Sequence, residues 1–176
     1  PEIRCIVLTG SGRGFCSGLD LIDTNDRRDS EVKDAEGNQS AGNNRPVRKL
    51  FDLRDAPINV MWHCDTPIIC AVNGAAAGYG MDMTLLCDIR IMSDNGKMAA
   101  ITARRNVVPE SGGTWLLPKL VGWAKAAELY YRGRTVGAEE SLSLGLVNAV
   151  VPHDELMDTA MTWAQEIADN APVAVQ

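Results

Sequence analysis

This chain has 176 residues, enough to bury a sizeable core, and a single domain over residues 1–176 is its simplest organisation. Hydrophobic residues make up 45% of it and charged residues 23%, as in ordinary globular domains. The net charge of −6 argues against a nucleic acid partner, and no apolar run approaches the roughly 20 residues of a membrane helix, so we expect no membrane partner.

The first third of the chain contains one apolar run and long polar loops. Residues 3–9 are nearly all apolar, which predicts a buried strand of a parallel sheet. A glycine-rich loop follows over residues 10–21. Residues 23–45 are polar and charged with almost no large apolar group, so we predict a mobile loop there. A surface insertion and a functional lid are equally good interpretations of this loop.

The middle of the chain contains two predicted strands and a buried helix. Residues 47–64 have helix-like apolar spacing, with Pro57 expected to break or kink the helix. Residues 68–72 predict a strand, which runs into a turn rich in glycine and alanine. The apolar residues 81–86 then predict a buried helix, and residues 87–92 predict another short strand.

The second half of the chain is predicted to be mostly helical. Residues 99–108 have a mixed pattern, and residues 109–114 form a turn that starts a helix. The remaining predicted elements are helices at residues 114–120, 124–132, 139–144 and 154–168, and a strand at residues 146–151. Strands that alternate with helices indicate an α/β fold with βαβ crossovers.

The stretch of residues 71–82 has the composition of an oxyanion-binding turn. Its small residues let a ligand approach the backbone, and the start of the following helix points N–H groups at that ligand. Asp82 places a carboxylate one turn away, and Glu110 lies in a second glycine-rich turn. Each has a structural interpretation of equal weight, Asp82 as a first-turn helix acid and Glu110 as a turn or capping residue.

Other catalytic chemistries have little support in the sequence. Residues 10–15 resemble a dinucleotide fingerprint only superficially, because the third glycine is displaced and no helix is predicted to open there. Neither a phosphate-binding P-loop motif nor a nucleophile-elbow motif occurs. His63 and His153 have no neighbours at metal-ligand spacing, so no metal site is expected.

The spacing of the five cysteines indicates the cellular compartment of the protein. They are scattered singly without a paired spacing, which is typical of reduced thiols in an intracellular protein. Cys5, Cys70 and Cys87 are expected to be small buried hydrophobic residues. A cytoplasmic location, or the mitochondrial or peroxisomal matrix in a eukaryote, suits such thiols.

Several motifs resemble those of one enzyme family. The chain is similar, nearly throughout and in order, to the crotonase (enoyl-CoA hydratase/isomerase) superfamily. The first signature corresponds to residues 6–10 and 14–21, the second to residues 67–80 followed by 87–90, and the third to residues 108–118. Residues 133–134, 138–140 and 145–148 resemble the helix and strand that follow.

This resemblance implies a crotonase-like ββα superhelix built from repeated β-β-α units. Family members also carry an N-terminal strand–helix segment and C-terminal helices, and we expect both to be missing here. By position, the N–H groups of Leu19 and Tyr79 form the oxyanion hole for a thioester carbonyl, with Tyr79 replacing the usual glycine. Backbone groups of Ser17, Gly18 and Leu19 lie along the CoA adenine, with Asp20 next to them.

The resemblance also implies which residues move protons. The family's hydratases use two glutamates, at the positions of Asp82 and Thr102, and a threonine cannot act as a carboxylate base. Glu110 occupies a position where some isomerases of the family place a catalytic acid. We therefore expect an enoyl-CoA isomerase or hydratase-like enzyme in which Asp82 and Glu110 shuttle protons, with double-bond isomerisation preferred.

Three other functions stay open at this point. The nearest is an enoyl-CoA hydratase, a lyase that adds water across the 2,3 double bond. Hydrolysis of a thioester or a C–C bond is more distant, and a non-catalytic CoA-binding member of the family is the third. In every case CoA arrives as part of the substrate and no cofactor is expected. The expected partners are an acyl-CoA, as in fatty acid metabolism, and copies of the chain in a homotrimer or a dimer of trimers (a hexamer).

Overall fold

The alternation of strands and helices predicted from the sequence is present in the fold. The computed structural model describes residues 2–18, 56–109 and 111–175. The strands are β1 (Ile6–Thr9), β2 (Ile68–Val72), β3 (Ala75–Ala77), β4 (Ile89–Ser93), β5 (Lys97–Ala99), β6 (Thr135–Gly137) and β7 (Ala149–Val151). The α-helices are α1 (Pro57–Trp62), α2 (Tyr79–Leu86), α3 (Gly113–Val121), α4 (Trp123–Arg132), α5 (Ala138–Ser143), α6 (Leu156–Ala168) and α7 (Pro172–Val175). Short 3-10 helices lie at Ile101–Arg105 and His153–Glu155.

Four strands form the parallel sheet that the apolar runs predict. Its order is β1-β2-β4-β7, and every neighbouring pair is parallel. All five residues of β2 are buried, as expected of a central strand covered on both faces. The α/β prediction is therefore confirmed for the described part of the chain.

The two faces of this sheet carry separate apolar cores, because successive side chains of a strand point to opposite faces. Ile68, Cys70 and Val72 of β2 pack into one core, which also includes residues of α2, α3 and α4. Ile69 and Ala71 face the opposite way and pack with residues of α6. The helix α2, whose first turn bears residues of the candidate site, thus packs against one face of the sheet.

A second sheet was missed by the sequence analysis. Its order is β3-β5-β6, with β3 and β5 parallel and β5 and β6 antiparallel. Ala75–Ala77 was expected to be part of a turn, because alanine has little preference for strands. It is a strand because Lys97–Ala99 lies beside it and pairs with it. The mixed pattern of residues 99–108 is the end of β5 followed by a 3-10 helix at Ile101–Arg105.

Several predicted boundaries were wrong by a few residues. The helix expected from residue 81 begins at Tyr79, and the strand expected at 87–92 is Ile89–Ser93. The strand expected at 146–151 is Ala149–Val151, and the helix expected at 154–168 is Leu156–Ala168. Pro57 is the first residue of α1, a position that proline favours because its missing N–H has no partner there anyway.

A buried arginine fixes the end of α2 to the rest of the fold. Arg90 is 5% exposed, and its guanidinium donates to the carbonyl oxygens of Thr84, Cys87 and Leu146. Thr84 belongs to the last turn of α2, where a positive charge also interacts favourably with the helix dipole. Arg90 is therefore a structural residue that holds the helix of the candidate site in place.

Three further observations concern membrane helices, the described ranges and the cysteines. No helix within the described ranges is long and apolar enough to cross a membrane. The predicted loop of residues 23–45 lies outside the described residues, as do three predicted site residues, Leu19, Asp20 and Glu110. Cys70 and Cys87 are buried as predicted, whereas Cys5 is only partly buried.

Candidate active site

The first glycine-rich loop is bound to the end of β2 by one side chain. Asn73 follows β2 directly and is 7% exposed. Its Oδ1 accepts the N–H of Gly10 at 3.1 Å, and its Nδ2 donates to the carbonyl oxygen of Gly12 at 2.8 Å and to that of Gly14 at 3.3 Å. The amide thus holds the loop through both its acceptor and its donor.

The same loop also pairs with β3 through its backbone. The N–H groups of Phe15 and Cys16 donate to the carbonyl oxygen of Ala75 at 3.0 and 3.1 Å. The N–H of Ala77 returns a bond to the carbonyl oxygen of Cys16 at 2.9 Å. Because the loop is held on both sides, Ser17 and Gly18 are directed toward the start of α2.

Gly18 lies where the first glycine-rich segment approaches the start of α2. Its φ of +90° lies in the left-handed region, which a side chain disfavours. A Cβ at this position would lie 2.8 Å from the carbonyl oxygen of Ala77 and 3.6 Å from the amide nitrogen of Tyr79. A residue without a side chain is therefore needed for the first loop to reach the start of α2.

Tyr79 is the first helical residue of α2, and Gly78 is its N-cap. The N–H of Gly78 donates to the carbonyl oxygen of Ala99, and its carbonyl accepts the N–H of Asp82, both at 3.0 Å. These bonds fix the backbone on either side of the Tyr79 amide. The N–H of a first helical residue has no acceptor within its own helix, so it is available to an anionic oxygen.

Asp82 lies one turn further along α2 and is 3% exposed. The hydroxyl of Tyr130, from α4, donates a long hydrogen bond of 3.5 Å to Oδ1 of Asp82. Burial raises the pKa of the Tyr130 phenol, and the nearby Asp82 carboxylate raises it further. Tyr130 therefore keeps its proton at neutral pH and acts as a donor.

Two adjoining cavities open beside these groups. One, of about 120 Å³, is lined by Ser17, Gly18 and Tyr79 together with Thr102 and Arg105, among others. The other, of about 350 Å³, is lined mainly by apolar and aromatic side chains, including that of Tyr130. Thr102 and Val107 line both cavities. The candidate oxyanion donor and the Tyr130–Asp82 pair thus lie beside neighbouring parts of one cleft.

The structure brings together the described members of the predicted site. Ser17, Gly18 and Tyr79 line the smaller cavity, and Asp82 lies on the same helix as Tyr79. The roles assigned to Leu19, Asp20 and Glu110 stay predictions, since these residues are outside the described ranges. Within those ranges no group of three or more His, Cys, Asp or Glu side chains is arranged to hold a metal ion.

Two functional candidates were missed by the sequence analysis. Asn73 stands inside the second signature, and nothing in that motif indicates that its side-chain amide holds the first loop. Tyr130 carries no local sequence signal, because its contact with Asp82 joins positions 48 residues apart. Only the tertiary packing of α4 against α3, which itself packs against α2, shows it.

Comparison with known proteins identifies the family. The family model described as enoyl-CoA hydratase/isomerase matches residues 1–176. The carnitinyl-CoA dehydratase of Proteus mirabilis is 38% identical over 176 residues, covering 99% of this chain and 61% of the relative. The 1,2-epoxyphenylacetyl-CoA isomerase of Escherichia coli is 37% identical over 166 residues, covering 94% of this chain and 59% of the relative.

A solved structure extends the similarity to the fold. The enoyl-CoA hydratase of Bacillus anthracis superimposes with a TM-score of 0.81 at 32% identity, covering 98% of this chain and 61% of that one. This chain therefore spans about three fifths of the length of the relatives that it matches. The crotonase-like fold predicted from the sequence is confirmed, and the chain belongs to the enoyl-CoA hydratase/isomerase family.

Proposed function

We propose that this chain is the core of an enzyme that acts on acyl-CoA thioesters by stabilising a thioester enolate. The observation that carries the proposal is the position of the Tyr79 amide. It begins α2 beside the Gly18 backbone, lines the 120 Å³ cavity and precedes the buried Asp82 by one turn. A thioester oxygen at this amide and at the N–H of Leu19 would be held by two backbone donors.

The chemistry follows from that placement. A developing negative charge on the oxygen is stabilised by preorganised N–H groups, each worth about 3–4 kcal/mol of barrier in other enzymes. One of Asp82 and Glu110 removes a proton from carbon as the ionised base, and the other returns a proton to a different carbon as the acid. One proton leaves and one arrives, so the net reaction is movement of a double bond.

The similarity to a protein named 1,2-epoxyphenylacetyl-CoA isomerase supports isomerisation. Thr102 supports it as well, because a threonine stands where hydratases of the family carry their second glutamate. Addition of water is the second candidate, supported by the names of the hydratase and dehydratase relatives. In that reaction Asp82 or Glu110 would orient the water without help from position 102.

The CoA moiety is expected to lie along Ser17, Gly18, Leu19 and Asp20. Ser17 and Gly18 line the smaller cavity, which supports this placement for the described half of the segment. Assembly as a homotrimer or a dimer of trimers is also part of the proposal. Light scattering coupled to size-exclusion chromatography tests it, and a monomer at high concentration would contradict it.

Product analysis in heavy water tests the proposed reaction. The purified protein is incubated with 2-enoyl-, 3-enoyl- and dienoyl-CoA thioesters, and the products are analysed by mass spectrometry. A moved double bond with deuterium incorporated and no water added is the expected result. Addition of the elements of water would favour hydration instead, and binding of acyl-CoA without turnover would indicate a non-catalytic member of the family.

A further inference from the structure

The Asp82 carboxylate and the Tyr130 hydroxyl meet at the first residue of α3, Gly113, in the space that its missing side chain leaves. A Cβ built on Gly113 would lie 2.1 Å from Oδ1 of Asp82 and 2.2 Å from the hydroxyl oxygen of Tyr130. Both distances are far shorter than any real carbon contact, so any other residue at 113 would push the two groups apart. Gly113 therefore leaves the space in which the two side chains meet.

The surroundings make this contact more than incidental packing. Gly113 is the first residue of α3, so the positive end of that helix dipole lies against the carboxylate. Tyr130 also lines the 350 Å³ cavity, as does Thr102, which lacks the carboxylate of the family's hydratases. The Tyr130 side chain thus contacts Asp82 and also lines the cleft.

We propose that Tyr130 is a positioning residue, whose hydroxyl donates to the Asp82 carboxylate through the space left by Gly113 and sets the orientation of that carboxylate for proton transfer. The proposal rests on the proposed function, in which Asp82 carries the proton. The 3.5 Å distance is longer than a usual O–H···O bond. Hydrogen bonds in active sites without substrate are often long and shorten once the substrate is bound.

The matched variants are Tyr130→Phe and Thr162→Val. The first removes the hydroxyl beside Asp82, whereas the second removes an exposed hydroxyl on α6, which packs on the opposite face of the sheet. We expect Tyr130→Phe to lower kcat about ten- to a hundredfold with little change in KM, the size expected for one hydrogen bond to a charged group. Thr162→Val is expected to behave as wild type.

The pH profile distinguishes positioning from a merely structural role. A donor to the carboxylate favours its ionised form, so its loss moves the limb of the pH–rate profile that reports Asp82 to higher pH. Gly113→Ala is expected to give the same loss of kcat and the same shift, because its methyl group displaces Tyr130 from Asp82. An unchanged kcat and profile in Tyr130→Phe would overturn the proposal, as would an equal loss in Thr162→Val.

A readout that needs no turnover separates this proposal from the proposed function. Carbon-13 NMR of the protein with labelled aspartate follows the Asp82 carboxyl through a pH titration, with Asp82→Asn identifying its signal. The titration is expected to move to higher pH in Tyr130→Phe and not in Thr162→Val. If no thioester is turned over but this shift occurs, the proposed function fails and the contact stands; if the titration is unchanged, the contact has no such role.

Discussion

The side chain of Asn73 accepts the N–H of Gly10 at 3.1 Å and so binds the end of β2 to the first glycine-rich loop. The same amide donates to Gly12 and Gly14. The loop bears Gly18, which lies beside the Tyr79 amide. The position of Gly18 beside the Tyr79 amide therefore depends on the side-chain amide of Asn73.

Replacing Asn73 with alanine is expected to loosen the first loop. The free energy of unfolding should fall by about 1–3 kcal/mol, because buried backbone groups lose their partners. The value of kcat should fall as well, since the loop no longer holds its donor in place. Chemical denaturation and steady-state kinetics measure the two effects. Asn170→Ala, which removes an exposed amide that donates to the carbonyl oxygen of Glu166, is the control, and equal effects in both variants would contradict the role given to Asn73.

Tyr79 allows the backbone donor to be removed without removing the helix. Tyr79→Pro deletes the N–H at the first helical position, where proline is well tolerated, and Tyr79→Ala deletes the ring but keeps the N–H. We expect Tyr79→Pro to have a kcat roughly 10²–10³ times lower than Tyr79→Ala, the effect of losing one oxyanion donor. Equal kcat values in the two variants would show that this amide does not bind the thioester oxygen.

Much of this fold can be predicted from the sequence, because buried parallel strands are continuous apolar runs. The strand at Ile68–Val72 was predicted at its observed ends. The three-residue strand Ala75–Ala77 was not, because its structure comes from pairing with a distant segment and not from its own residues. Tyr130 was missed for the same reason, since its meaning depends on a contact made through the tertiary fold.

Substitutions of Thr102 test why isomerisation is preferred over hydration. It lines both cavities, so a carboxylate at this position would enter the cleft. Thr102→Glu is expected to add water to a 2-enoyl-CoA, because the second base of the family's hydratases is restored. Mass spectrometry of the product measures this gain. Thr102→Gln has the same shape without the charge and is expected to stay inactive in hydration; water addition by both variants would contradict the explanation.

Arg90 is expected to contribute mainly to the stability of the fold. Arg90→Met removes the buried donor to the carbonyl oxygens of Thr84, Cys87 and Leu146. We expect a loss of roughly 3 kcal/mol in the free energy of unfolding, since several bonds to a charged group disappear together. Arg132→Met breaks an exposed ion pair with Glu128 and is expected to cost less than about 1 kcal/mol. Similar costs for both variants, measured in urea, would contradict the structural role of Arg90.

The central claim is that Asp82 moves a proton to or from a carbon of the acyl group of a thioester held at the Tyr79 amide. It is tested most directly by deuterium incorporation from heavy water into an enoyl-CoA, compared between wild type, Asp82→Asn and the exposed control Asp94→Asn. We predict incorporation with a moved double bond in wild type and Asp94→Asn, and a loss of about 10²–10⁴-fold in Asp82→Asn, the usual contribution of a positioned acid or base. Incorporation by Asp82→Asn at the wild-type rate would contradict the account.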